Sequence, residues 1–456
     1  MALHHASKRP GSTFAIYFIT PKQWQAHDEA ACKVAFWIEN LLLLAEDLES
    51  LGIPLRVVRC DDYSKIPSQL VKFASETDSS AIFFNAEYEV NERRRDQAVE
   101  EAAAKKSLAI HAFDDRILVP ADRVKTKTGG FYSVFTPYRR SWEPVVNDLI
   151  EVLPRPRKQK RPEGTESSQV PDRVPGFDLS TYRKDLWPAD ESEAQKRIKN
   201  FTNAIAAYGT ARDIPSENGT SLLSPYLAAG VISPRQCLSA AITANRGKIG
   251  GDNGAAVWIS ELCWRDFYHQ VMVHCPRVCM HRPFKLATDG INWSHDQGSF
   301  DAWKEGRTGF PLVDAGMRQL NRTGWMHNRL RMVTAMFLSK NLLIDWRWGE
   351  RYFMQNLIDG DLAANNGGWQ WSASTGTDAV PYFRIFNPFS QSKRFDPEGS
   401  FIKKMCPELE PVPSAALHDA KKLTAAIKQH NADYPSFVID YSASREKVLA
   451  AFKSLG

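Results

Sequence analysis

The chain has 456 residues, 43% of them hydrophobic and 24% charged, with a formal net charge of +5 and a pI near 8.7. That composition is an ordinary globular one of about two to three domains, and its mild basicity permits a nucleic-acid partner without demanding one. It excludes a membrane-spanning chain, because no apolar run is long enough; residues 1–11 lack the apolar centre of a secretory signal, and seven scattered cysteines fit reduced thiols in a cytosolic protein.

Residues 13–150 alternate short β-rich runs with helical patterns. Strands are predicted at 14–19, 55–59, 81–85 and 109–113, with helices between them over 30–50 and 91–105. Runs 14–19 and 81–84 are apolar without alternation, the pattern of strands covered on both faces. The expectation is a doubly wound α/β domain with a parallel sheet. Residues 154–176 are proline-rich, charged and poor in large apolar side chains, so they read as a linker. From 177 onward long helical periodicities dominate. The expected division is therefore an α/β domain (1–153), a linker (154–176) and a mostly helical domain (177–456).

Four segments of the helical half carry chemistry. Around Thr220, Ser221 and Ser224, three hydroxyls precede or open a helix. Such a site suits phosphate, although a plain helix cap is the simpler reading of that segment alone. Next, helical spacing puts Glu261, Trp264 and Arg265 on one face. A Glu261–Arg265 pair would contribute only about 0.2–0.5 kcal/mol, whereas an aromatic platform beside an acceptor and a guanidinium suits a nucleobase next to a phosphate. Asn328 and Met332 share another face, with Arg329 and Arg331 pointing elsewhere. A buried arginine there needs a carboxylate, for which Asp359 and Asp361 are the candidates; otherwise the arginines lie in solvent. Finally, residues 359–371 pack Asp359, Asp361, Asn365, Asn366, Trp369 and Trp371 around Gly367 and Gly368. That set suits a polar, aromatic ligand approached closely by backbone, or else an irregular, internally satisfied loop between helices. The run from His274 to His281 has two cysteines and two histidines, but it lacks a second cysteine pair at a zinc spacing, so core thiols are expected and no metal.

Together with Thr375-Gly376-Thr377-Asp378-Ala379-Val380-Pro381-Tyr382-Phe383-Arg384-Ile385-Phe386-Asn387-Pro388, these segments resemble the photolyase/cryptochrome family, and within it the class I cyclobutane pyrimidine dimer photolyases. The resemblance runs from about residue 14 to the C-terminus and is strongest over 258–395. It implies an α/β N-terminal antenna domain and a large all-α domain holding FAD, folded with its adenine near the isoalloxazine. Tyr208, Thr220, Ser221, Leu222, Leu223 and Ser224 would hold the phosphate region. Trp258, Asn328, Arg331, Asp359, Asp361 and Asn365 would line the flavin, with Arg331 paired to Asp359 and Asn365 at flavin N5. Plant cryptochromes carry Asp at that last position and animal ones Cys; a neutral amide tolerates the reduced, anionic flavin.

The same resemblance implies DNA carrying cyclobutane pyrimidine dimers as partner. Photolyases are themselves among the enzymes that extrude their target bases. Glu261, Trp264, Asn328, Met332 and Trp371 would meet the dimer, and Arg212, Arg265, Arg329 and Arg384 the phosphates around it. Asn328 and Met332 stand where (6-4) photolyases carry histidines. Excited FADH⁻ would give an electron to the dimer, the ring would open, and the electron would return. Trp369, Trp346 and Trp293 match the family's tryptophan relay. A monomer acting in the cytoplasm, at the nucleoid through its DNA binding, is expected.

Three departures stand out. The family's first strand, with its Trp-Phe-Arg-x-Asp-Leu-Arg motif, is absent, and residues 1–12 stand in its place. Either the start of the chain is misplaced or the sheet lacks its middle, which would leave two rows of backbone groups unpaired. For a second chromophore, folate or a deazaflavin, Asn91, Glu92 and Cys279 match folate positions, but Met280 stands where lysine is common. Asn341 replaces a frequent aspartate near the flavin.

Overall fold

A computed structural model describes residues 1–455. Four strands form where the β-rich runs predict them: β1 (Ala15–Ile19), β2 (Leu55–Arg59), β3 (Ala81–Asn85) and β4 (Ala109–Phe113). β1 pairs parallel to β2 from Ala15↔Leu55 to Ile19↔Arg59, and β3 to β4 from Ala81↔Ala109 to Asn85↔Phe113. Among the described residues no ladder joins the two pairs. The described sheet is therefore split into two parallel pairs.

A short helix, α1 (Ala2–Ser7), packs on β3 and β4. Ala2 N donates to Asn85 Oδ1 at 3.0 Å, His5 stacks on Phe113 at 4.6 Å, and the Arg9 guanidinium lies 5.9 Å above Phe83. Gln159 substitutes an amide for strand backbone: it accepts from Thr13 N at 2.8 Å and donates to Thr13 O and Gly52 O, both at 2.9 Å. The split corrects one expectation. Apart from Ile19 and Ile82, the residues of β1 and β3 are not fully buried, in keeping with two strand pairs that no ladder joins among the described residues.

Helix α2 (Ala31–Ser50) covers the β1–β2 pair, burying Val34, Ile38, Leu41 and Leu48 against Ile19, Ile53 and Leu55. Val170 and Val174 enter that core, so the proline-rich segment is tied down rather than free. Helix α3 (Val90–Ala104) precedes β4. Helix α4 (Phe135–Asn147) sends Phe135, Tyr138, Trp142 and Val146 into one continuous core with Trp258, Ile259, Leu262 and Phe267 of the helical half. Buried Asp266 seals this junction by accepting from Leu118 N, Val119 N and Trp142 Nε1 at 2.9–3.1 Å. The rest is helical. The elements that position the site are α5 (Ser224–Ala228), α6 (Gly254–His274), α7 (Asn328–Met336), α8 (Trp346–Met354) and α9 (Leu362–Ala373). No helix among the described residues is long and apolar enough to cross a membrane.

Candidate functional site

The segment 359–371 is not an irregular loop. Asp361 caps α9, its Oδ1 accepting from Ala364 N at 3.0 Å, and the amides and tryptophans follow on that helix. The two glycines differ. A Cβ at Gly367 would stand 2.1 Å from the Tyr268 ring, so that glycine serves packing; one at Gly368 would meet nothing within 4 Å. Only Gly368 leaves backbone open to a ligand.

The turn before α9 is pinned by three cations. Arg331 Nη2 lies 3.0 and 2.7 Å from the two oxygens of Asp359, which realises the expected pair. Lys33 Nζ donates to Gly360 O at 2.6 Å and to Glu29 at 2.5 Å. Arg116 Nη2 meets Asp361 at 3.3 Å, with His269 Nε2 at 3.5 Å and Arg265 Nη2 at 4.0 Å. Burial would raise the Asp361 pKa, but His269, Arg116 and Arg265 hold it well below the usual carboxylate range. Lys33 and Arg116 come from the α/β half. Nothing in sequence spacing pointed to them, because long-range pairing leaves no local pattern.

On α9, Asn365 Nδ2 donates to the carbonyl of Glu350 at 3.0 Å. The Glu350 carboxylate, fully buried, takes Asn366 Nδ2 at 2.7 Å and His281 Nδ1 at 2.9 Å. The Asn365–Glu350 bond fixes the amide's orientation and leaves Asn365 Oδ1 as an acceptor with no partner among the described residues. The hydrogen bond to Glu350 raises the His281 pKa above 6.5. Its stabilising contribution is therefore complete below pH 6.5 and is lost as pH climbs through the raised folded value. We expect His281→Ala to flatten this part of the melting-temperature profile between about pH 6 and 9. Parallel profiles for variant and parent would contradict it.

Trp369 is buried on α9, edge-on to Phe353 at 5.0 Å and to Trp303 at 6.0 Å. Its ring lies over Gly349 of α8, where a Cβ would stand 2.1 Å away. Gly349→Ala should therefore cost about 1–3 kcal/mol by overpacking, read as a lower urea midpoint; an unchanged midpoint would refute that contact. Trp346 opens α8 behind its cap Asp345, and Trp293 packs against Phe452 at 6.5 Å. All three tryptophans share one core cluster.

On the opposite side, Glu261 of α6 pairs with Arg212 at 2.6 Å rather than with Arg265. Arg265, 13% exposed, turns inward to the carbonyl of Arg116 and toward Asp361. This corrects its expected place among phosphate contacts: the buried carboxylate draws it to the domain junction. Arg329 meets Asp213 at 2.6 Å and lies 4.4 Å above Phe395. Arg384 is exposed and has no carboxylate partner among the described residues. Asn328 is exposed with its amide unspent, and Met332 is half-buried one turn on. Trp264 is stacked on Phe135 at 3.7 Å, so one face of that platform is already covered. Trp371 is half-buried. Tyr208 lies 5.2 Å beneath the Arg212 guanidinium, and Trp258 packs at 4.9 Å from Phe201.

The hydroxyl segment does not cap its helix. The residue before α5 is Leu223, and no side chain caps it. Leu222 adopts φ +52° and Leu223 is buried. Ser221 Oγ accepts only from Leu223 N at 3.4 Å, and Ser224 Oγ from Trp325 Nε1 at 3.2 Å. Thr220 has no side-chain partner among the described residues, so this segment keeps hydroxyls for a ligand. Asn341 Nδ2 is buried without a partner.

Asn91 and Glu92, on α3, meet residues that spacing missed. Asn91 Nδ2 lies 3.0 Å from His27 Nε2, and Glu92 Oε1 takes Tyr63 OH at 3.1 Å and faces His27 Nδ1 at 3.4 Å. Burial, then Glu89 and Glu87, push the Glu92 pKa to about 8, and its Oε2 has no partner. Cys279 Sγ accepts from Val90 N at 3.4 Å, while Met280 is 53% exposed. The described residues contain no His/Cys/Asp/Glu group placed to hold a metal, and Cys275 and Cys279 are both free.

Comparison with known proteins bears on this geometry. Residues 1–158 match the family described as DNA photolyase, and residues 258–454 match the FAD binding domain of DNA photolyase. The deoxyribodipyrimidine photo-lyase of Salmonella typhimurium is 42% identical over 446 residues, covering 96% of this chain and 92% of that one. Among solved structures, a bacterial class III photolyase from Agrobacterium tumefaciens superposes with a TM-score of 0.83 at 31% identity, covering 100% of this chain and 94% of the other. An archaeal photolyase from Sulfolobus tokodaii, solved with two FAD molecules, gives 0.77 at 30% identity, covering 99% and 96%.

Proposed function

Because this chain belongs to the DNA photolyase family, we propose that it is a light-dependent enzyme that splits cyclobutane pyrimidine dimers in DNA, using FAD. Residues 177–456 form its flavin-bearing part and residues 1–153 its antenna-bearing part, joined by 154–176. Every residue invoked comes from one chain, so a monomer suffices.

The site's chemistry fits FAD. Tyr208 and the segment Thr220, Ser221, Leu222, Leu223 and Ser224, with hydroxyls to spare, would hold the phosphates. Trp258, Asn328, Arg331, Asp359, Asp361 and Asn365 would line the isoalloxazine. The unpaired Asn341 amide nitrogen is a further donor waiting for an acceptor. Bound there in reduced form, the flavin supplies a photoexcitable one-electron donor. The observation that carries this reading is Asn365: with Nδ2 held by Glu350 O at 3.0 Å, its free Oδ1 suits the protonated N5 of a reduced flavin.

The chain's own residues then bind and orient the substrate. Glu261, held through Oε1 by Arg212, has Oε2 left to accept from a pyrimidine N–H. Asn328 and Met332 present an unspent amide and a soft apolar edge to the same ligand. Extruding the dimer costs a few kcal/mol; stacking on Trp371 and on the free face of Trp264 returns about 1–3 kcal/mol per base. Arg384 would meet a flanking phosphate, a contact that weakens with salt. Trp369, Trp346 and Trp293 would carry an electron inward from the surface. The test is dithionite-reduced protein with irradiated oligo(dT), with blue light on or off. Thymine absorbance should recover only in the light; no recovery rejects the reading.

For a second chromophore we propose folate, held by Asn91, Glu92 and Cys279 with His27. Glu92, its pKa pushed up to about 8, is mostly protonated near neutral pH, and its unpaired Oε2 would donate to a pterin ring nitrogen or carbonyl. A folate in the acid extract supports this, and a deazaflavin or a second FAD overturns it.

A further inference from the structure

We propose that Asp213 is a positioning residue of the lesion pocket: through two arginines it fixes Met332 and Glu261, and so sets the preference for damaged over intact DNA. This rests on the repair reading above and adds a residue to it. Asp213 follows the short helix Tyr208–Ala211, in a turn closed by Ile214 N on Ala211 O at 3.1 Å. Its Oδ1 accepts from Arg329 Nη2 at 2.6 Å and lies 4.0 Å from Arg212 Nε. Each arginine then reaches a side chain that the dimer would touch. Arg329 Nη1 approaches Met332 Sδ at 3.6 Å, and Arg212 Nη1 donates to Glu261 Oε1 at 2.6 Å. One carboxylate thus stands where two arms of the pocket meet.

The arms need that carboxylate for direction. The Arg329 guanidinium lies 4.4 Å above Phe395, and that of Arg212 lies 5.2 Å from the Tyr208 ring. Such contacts restrain the height of a cation over the ring and leave it free to turn. Asp213 is the only carboxylate within ion-pair distance of Arg329 among the described residues. The Arg329 side chain is 17% exposed and its Nε is buried without a partner, so little solvent is at hand to orient the fork in its place. Met332 depends on that fork, because a thioether on three rotatable bonds adapts readily to whatever surrounds it. Asp213 also acts by its charge, which weakens the hold on every DNA strand alike, since phosphate contacts carry no lesion preference. The placing of Met332 and Glu261 counts only when a dimer lies in the pocket. The two effects are therefore separable.

Asp213→Asn keeps the shape of the side chain and removes its charge. The test measures its affinity for one duplex with and without a dimer, at one salt concentration, with flavin absorbance per chain confirming a loaded protein. The lost charge favours both duplexes equally, whereas the loosened arms penalise the dimer alone. The damaged-to-intact affinity ratio should therefore fall by about fivefold, the worth of one partly exposed ion pair. In a Glu261→Gln/Met332→Ala background, where the arms have nothing left to place, Asp213→Asn should leave the ratio unchanged. A merely structural role would weaken both duplexes together and act equally in both backgrounds. That outcome, or an unchanged ratio in flavin-loaded Asp213→Asn protein, would overturn the proposal. If the asparagine variant loses its flavin, Arg329→Lys takes its place, because it keeps the charge and removes the planar fork; the same fall in ratio is expected, and its absence overturns the proposal equally. Failure of the repair reading would register elsewhere, as equal affinity of the parent for the two duplexes.

Discussion

Replacing Arg331 by alanine is expected to empty the protein of flavin and to cost about 3–5 kcal/mol, because it strands a buried carboxylate. The Asp359 side chain is only 3% exposed, and both its oxygens face the same guanidinium nitrogen. Without that partner the charge has no solvent to return to. Arg331 also fixes the approach to α7, since its Nε donates to Met326 O at 2.8 Å. The turn 359–361 would then be held from its other side alone, by Lys33 on Gly360 O and by Arg116, His269 and Arg265 around Asp361. Urea unfolding with flavin absorbance per chain provides the readout. In a double-mutant cycle, Arg331→Met with Asp359→Leu should recover much of the stability, yet not the flavin. An Arg331→Ala protein with the parent's midpoint and a full complement of flavin would remove the pair from the account.

Trp369→Phe is expected to abolish photoreduction of the oxidised flavin while leaving repair by dithionite-reduced protein intact. The substitution is a mild one structurally. Trp369 Nε1 has no hydrogen-bond partner, so its loss leaves nothing buried and unpaired. Phenylalanine keeps an aromatic ring against Phe353 and Trp303. What disappears is a side chain that can be oxidised beside the flavin site. Equal photoreduction rates in the variant and the parent would contradict this role. A variant that also lost repair would show instead that the ring acts by packing.

The parts of this molecule that were legible in the chain are those with a local cause. Three of the four strands have the predicted bounds, and β1 starts one residue later than predicted, because apolar runs bounded by turns carry their own signal. The absence of the family's first-strand motif from these residues was readable, and β1–β2 and β3–β4 stand as separate pairs among the described residues. The illegible parts depend on contacts distant in sequence. That α1 and Gln159 fill the gap follows from no periodicity. Residues 359–371 were legible as a set suited to a polar, aromatic ligand, but whether they form a loop or a helix was not, because the amides and carboxylates fit no amphipathic pattern. The segment forms a helix because Glu350 and Gln370 satisfy Asn366, while Asp361 caps the N-terminus. Arg265 shares a helical face with Glu261 in projection, yet the pull of Asp361 and the Arg116 carbonyl turns it the other way. Lys33 and Arg116 were missed for the same reason: each acts across the boundary between the two halves, while His27 reaches Asn91 and Glu92 from far along the chain within the α/β half.

The central claim places a reduced flavin against an extruded dimer, between Asn365 and Glu261. The fluorescence lifetime of the reduced flavin tests this most directly, measured with an oligonucleotide before and after irradiation. The account predicts a shortened lifetime only with the dimer-containing strand, and relief of that quenching once blue light has restored the thymines. A lifetime indifferent to the dimer, in protein that binds the damaged strand, would contradict it.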